Sequence, residues 1–135
     1  MSDSAKPAQS SAIRTPGSLE SSILSFDLNA ETERLRREEA WQAGRNSKTL
    51  VKYPDFRVVL VVLKTGARMP DHKAAGSISV QTITGHIQMH IGSELFDLPA
   101  GRILTLEPEI LHDVEALEDS GFLLTIAWPQ NTSGS

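Results

Sequence analysis

The chain has 135 residues, a net charge of -4 and no cysteine. That length suits one domain able to bury its own core, and the missing thiols exclude disulfides, zinc–thiolate centres and cysteine nucleophiles. The charge is uneven: from Glu94 onward eight acids face Arg102 alone, which repels phosphates and argues against nucleic acid as a partner.

Residues 1–18 are rich in Ser, Ala and Pro. They hold too few large apolar groups to offset ordering entropy, so a disordered tail is expected. They also lack the apolar stretch of a secretory signal, and no run nears the roughly 20 residues that span a bilayer, so no membrane partner and a cytoplasmic location are expected. Residues 19–47 read as a helix and a connecting segment. Asn29 is a candidate cap for a helix starting at Ala30, and Glu33 with Arg37 and Arg34 with Glu38 are oppositely charged pairs four apart. The helix should stop before Trp41, with Gly44 closing the turn. Trp41 reads as an anchor packed over the main domain. The polar stretch 44–48 reads as a loop, with an anion or partner clamp as the alternative.

Strands follow, and residues 48–128 are expected to form one barrel. Residues 48–52 alternate. Residues 56–63 are a nearly continuous β-branched and apolar run, as expected of a strand covered on both faces. Thr65-Gly66 breaks it. Residues 77–84 place Ile78 and Val80 on one face and Ser79 and Gln81 on the other. After Gly85, residues 86–91 alternate cleanly, with Ile87, Met89 and Ile91 opposite His86, Gln88 and His90. Gly92-Ser93 suits a hairpin turn. Shorter strands at 95–98, 102–106, 112–116 and 122–127 are separated by turn residues, and 129–135 reads as a flexible tail. Many short strands with regular turns mean a sandwich or a barrel.

Two segments carry a more specific signal. In the first, Gly66 is followed after five residues by His72, then Lys73, Ala74 and a strand running to Gly85. In the second, Gly101 is followed eleven residues on by His112. These spacings resemble the two signature motifs of the cupin superfamily. The resemblance covers about residues 58–127 and implies an all-β fold, the cupin double-stranded β-helix or jelly-roll barrel, preceded by one short helix.

The resemblance also implies a site. In the cupin pattern the first motif supplies two histidines and a glutamate, and the second a third histidine, around one divalent metal. His72 and His112 match the first and last histidines. Ala74 stands at the second histidine and Ile78 at the glutamate. Metal binding through His72 and His112 is therefore expected to be weak or absent, because protein sites for such metals usually supply three or four ligands. The expected pocket comprises His72, His112, Ile78, Val80, Thr82 and Glu109. Glu109, in the loop before His112, is the candidate third ligand or general base. His86 and His90 alternate with apolar residues and should face outward. Asp113 and Glu115 alternate with His112 and Val114 and should form a solvated acidic face.

Two functions of different class remain open at this point. One is a module that binds or senses a small molecule, in an apolar barrel with polar groups at its mouth. The other is a metal-dependent cupin enzyme of oxygenase or isomerase type, using His72, His112 and Glu109. The cofactor is left open between a weakly held divalent metal and none. Cupins commonly dimerise through edge strands, so the resemblance implies a homodimer, with residues 48–52 and 86–91 as candidate edges.

Overall fold

The computed structural model describes residues 22–129. The expected tails, 1–18 and all but the first residue of 129–135, lie outside the described residues.

A helix, α1 (Leu28–Arg37), leads into a 3-10 turn at Glu39–Ala43. Nine strands follow: β1 (Arg45–Tyr53), β2 (Phe56–Leu63), β3 (Arg68–His72), β4 (Ser77–Thr84), β5 (His86–Ile91), β6 (Glu94–Pro99), β7 (Ile103–Leu106), β8 (His112–Ala116) and β9 (Ser120–Ala127). They form two antiparallel sheets, one ordered β1-β2-β9-β4-β7 and the other β3-β8-β5-β6. This is the all-β barrel with one short helix that the strand pattern implies.

The apolar core lies between the sheets. Val61 and Leu63 of β2, Ile78 and Val80 of β4, Ile87 and Met89 of β5, Val114 and Ala116 of β8 and Phe122 of β9 pack there as one cluster. Each strand contributes every second residue, as the pleat demands. The long apolar run of β2 has a further explanation. Its alternate side chains, Leu60 and Val62, face the other way and join Leu35, Trp41 and Leu50 in a second cluster. Thus β2 is a wall between barrel and helix, apolar on both sides because both sides are covered.

The helix differs from its expected form in two ways. Its cap is Asp27, not Asn29: the Asp27 carboxylate accepts from the Ala30 amide at 3.1 Å. An aspartate two residues earlier competes for the same role, and its negative charge also suits the helix N-terminus. Glu33 and Arg37 do pair, at 3.7 Å, but Arg34 pairs with Glu31 and Glu38 takes the Asn46 amide. The 3-10 turn swings Trp41 round to join Leu35 in one cluster. Gly44 ends that turn at φ 115°, in the left-handed region.

Two strand expectations also change. Residues 45–47 are not loop; β1 starts at Arg45 and pairs with β2 from there, Arg45 opposite Leu63. And β5 is not an edge, because it pairs with β6 on one side and β8 on the other. Of the two candidate edges, only β1 is one.

The helix is tied to β1 by a mostly buried carboxylate. Glu31 is 5% exposed and accepts from Arg34 Nη1 and Lys48 Nζ, both at 2.9 Å. Removing it leaves Lys48 facing an apolar seam. Glu31→Ala should therefore lower the unfolding free energy by about 1–3 kcal/mol, read as a shifted urea midpoint with an unchanged slope. A value near zero would mean that α1 is held by apolar packing alone.

Candidate functional site

The inner face of β3 depends on one irregularity. Met69 pairs with Val114 and His72 with His112, so two residues of β3, Pro70 and Asp71, oppose the single Asp113. In a regular strand residues three apart point to opposite faces. The extra residue lets both Met69 and His72 face inward. Pro70 fits this bulge because it has no N–H to give the ladder.

The result is a histidine pair. The ring centroids of His72 and His112 are 4.3 Å apart, with planes at 60°. Each ring is fixed in the same manner: Nδ1 of His72 lies 3.0 Å from the Pro70 carbonyl, and Nδ1 of His112 lies 2.9 Å from the Ile110 carbonyl. A carbonyl can only accept, so each Nδ1 carries a proton, and the free nitrogen of each ring is Nε2. Neither Nε2 has a hydrogen-bond partner among the described residues. His72 is exposed, while His112 is 3% exposed. Burial pushes the His112 imidazole below its ordinary value. The bond to Ile110 pulls the other way, and the neighbouring His72 adds to the depression.

The outer face of the same strands holds a second polar group. Asp113 points away from the barrel as expected, but it is not part of a solvated acidic face, being 1% exposed. Arg68 covers it from β3, donating from Nε at 3.2 Å and also from Nη2. His90 covers it from β5, donating its backbone amide at 3.0 Å and approaching with Nδ1 at 2.8 Å. Burial alone would raise the Asp113 carboxyl, but these bonds outweigh it and hold it below the usual carboxylate range. His86 and His90 face outward as their alternation implies. His86 meets Asp97 at 2.6 Å, and that contact, with Gln88, lowers the Asp97 carboxyl.

The other expected pocket residues part company. Val80 and Thr82 are packed in the interior, at 2% and 1% exposure, and the Thr82 hydroxyl is committed to the Leu98 carbonyl at 2.9 Å. Ile78 belongs to the core cluster and also borders a hollow of about 510 Å3 with Ser79, Thr105 and Thr125. Glu109 does not reach the imidazoles. Its backbone, at φ 68°, donates to the Ala74 carbonyl at 2.8 Å, and its exposed carboxylate lies 3.8 Å from Lys73 Nζ. Among the described residues no group of three or more His, Asp and Glu side chains could hold a metal ion.

A cavity of about 360 Å3 opens where β1 approaches β3. Val59, Val61, Met69 and Leu124 give it an apolar lining, and Arg45, Asn46 and Ser47 of β1 border it. Met69 links it to the histidine pair, one inward position along β3. Reading residues 44–48 as loop hid this feature. The signal was there: the alternation of β1 extends back from Lys48 to put Arg45, Ser47 and Thr49 on one face.

No protein-family model matches the sequence. No curated protein matches it either. Solved structures do match. A cupin superfamily protein from Desulfitobacterium hafniense superimposes with a TM-score of 0.61 at 13% identity, over 63% of this chain and 78% of its own. An RmlC-like cupin from Desulfovibrio desulfuricans gives 0.59 at 20% identity, over 85% and 96%. KdgF from a Halomonas species gives 0.59 at 20% identity, over 67% and 84%. The chain therefore has the cupin fold.

The cupin motif pattern calls for a divalent metal, and the donors present do not fit one. Two Nε2 atoms are available, while Ala74 and Ile78 stand at the positions matched to the other two ligands. A methyl group and a core isoleucine supply no lone pair, and two ligands fall short of the usual three or four.

Two outcomes are expected from this geometry. The double variant Ala74→His, Ile78→Glu should gain near-stoichiometric zinc or manganese by elemental analysis after gel filtration, and should be less stable than wild type without metal, because position 78 is 5% exposed and would bury a charge. A folded, metal-free double variant would show that the two motifs are misregistered. The second outcome concerns pH. Since the His112 value in the folded protein lies below 6.5, the unfolded chain takes up the proton first. The associated stability is complete above that value and is lost as pH falls through it toward the folded-state value. Wild type should lose more stability than His112→Gln between about pH 7.5 and about pH 5.5, by urea titration at each pH. An equal or smaller loss would contradict the assigned direction.

Proposed function

We propose that this protein is a small-molecule-binding module whose ligand sits at the open end of the barrel, against His72, His112 and the cavity between β1 and β3. The observation that carries the reading is the histidine pair: two rings 4.3 Å apart, both fixed by backbone carbonyls, each offering an unpartnered Nε2. An imidazole whose proton is on Nδ1 accepts hydrogen bonds at Nε2. The group that suits them is a donor, a hydroxyl or an N–H, on a ligand with an apolar body. Fixing both rings in advance removes part of the ordering cost of binding.

A second copy of the chain is the partner proposed for β1, whose outer side is an unpaired edge. Among the described residues no helix is long and apolar enough to cross a membrane.

The test is a fragment screen by amide chemical-shift mapping on labelled protein, using hydroxylated and amino-substituted ring compounds. Hits should move the amides of Ser47, Val61, Met69, His72 and Leu124 together. His72→Phe, at an exposed position, should weaken those hits about fivefold or more while leaving the fold intact. Hits mapping to other surfaces, or no loss in His72→Phe, would overturn the reading.

A further inference from the structure

The rim of the cavity is built by β1, and its side chains divide by face. Asn46 turns toward the helix. Its side-chain amide donates to the Leu35 carbonyl at 3.0 Å and to Glu38 at 2.9 Å, and its own oxygen accepts from the Ser47 amide at 2.9 Å. With Asn46 held there, its neighbours Arg45 and Ser47 must take the opposite face. That face is the inner one, because Arg45 pairs with Leu63 and Ser47 with Val61, both members of the barrel core.

Arg45 is a cation without a counterpart among the described residues. Arg34, Arg37, Arg68, Lys48 and Lys73 each have a carboxylate partner, and Arg36, Arg57 and Lys64 lie over tryptophan rings. Arg45 has neither, like Lys52 and Arg102, but of these three it is the one that borders the cavity, and the Ser47 hydroxyl beside it also makes no hydrogen bond to a described residue. A guanidinium is a planar fork matched to a carboxylate. Asn46 also borders the cavity, and the rest of its lining is apolar, with Val59, Val61, Leu124 and the polarisable thioether of Met69.

We infer that the cavity takes a small monocarboxylate with an aromatic or branched apolar body, its carboxylate held by Arg45 and Ser47. The inference rests on the small-molecule reading above and names the chemical class for that site. One guanidinium and one hydroxyl match a single negative charge and two oxygens. A phosphate monoester carries nearly two charges and three acceptor oxygens, more than this rim supplies. A neutral ligand of the same shape would leave Arg45 without its partner.

The test compares benzoate, benzamide and phenyl phosphate by calorimetry and amide shift mapping on the full chain. Benzoate should bind wild type about tenfold or more tightly than benzamide, and more tightly than phenyl phosphate. Arg45→Gln should reduce benzoate to the level of benzamide without changing the melting temperature of the free protein, and Arg45→Lys should fall between. Ser47→Phe, which fills the cavity from an exposed strand position, should abolish benzoate binding. Equal affinity for benzoate and benzamide, with both lost in Ser47→Phe, overturns the carboxylate assignment and leaves the pocket reading standing. Tighter binding of phenyl phosphate overturns the choice of anion. Unchanged benzoate binding in Ser47→Phe overturns the location, and no binding of any of the three overturns this inference together with the pocket reading for this class of body.

Discussion

The site depends on Asp113. This carboxylate is nearly inaccessible to water, and it is held by groups from both flanking strands, Arg68 on β3 and His90 on β5. A buried charge is tolerated only where its bonds are satisfied. Sliding β3 along β8 by one residue would take Arg68 from Asp113 and leave that charge uncovered. The register that puts His72 opposite His112 is thereby enforced from the far side of the sheet. Inside, apolar packing of Val114 and Ala116 favours the same alternation, so a polar constraint and an apolar one specify one arrangement.

With that register fixed, the chemistry follows from what is missing as much as from what is present. A full cupin ligand set would put charge and lone pairs at positions 74 and 78. Here those positions add to the apolar wall, and burial disfavours the charged form of His112. Two imidazoles with free Nε2 atoms stand near an oily cavity, which is the ground of the recognition reading proposed above. The chain shares its fold with solved cupin structures, and a fold by itself selects no chemistry.

Most of the barrel was legible in the sequence because strand signals here are strong and local. Residues 56–63, 77–84, 86–91 and 112–116 alternate or run apolar within clear turn residues, and their boundaries agree with the structure. The two histidines were legible through motif spacing. What escaped was set by tertiary context. The strand β3 carries Pro70 and an extra residue, so its period is broken where the site needs it. Asp113 looked solvated because alternation gives the face of a side chain but not what covers that face. Edge or centre was equally hidden for β5, since β6 follows it across the Gly92-Ser93 turn but its other neighbour, β8, comes from later in the chain. Arg45 and Ser47 were lost to a short polar stretch that reads as loop until β2 pairs with it.

The shared wall formed by β2 has a mechanical corollary. Val59 and Val61 line the hollow while Leu60 and Val62 seat the helix, and Asn46 clips the start of β1 to the end of that helix. Helix and hollow are thus two sides of one partition. A truncation that spared every strand but removed the residues around Leu35 would slacken the partition from behind, and the chamber would lose its shape without losing any atom of its lining.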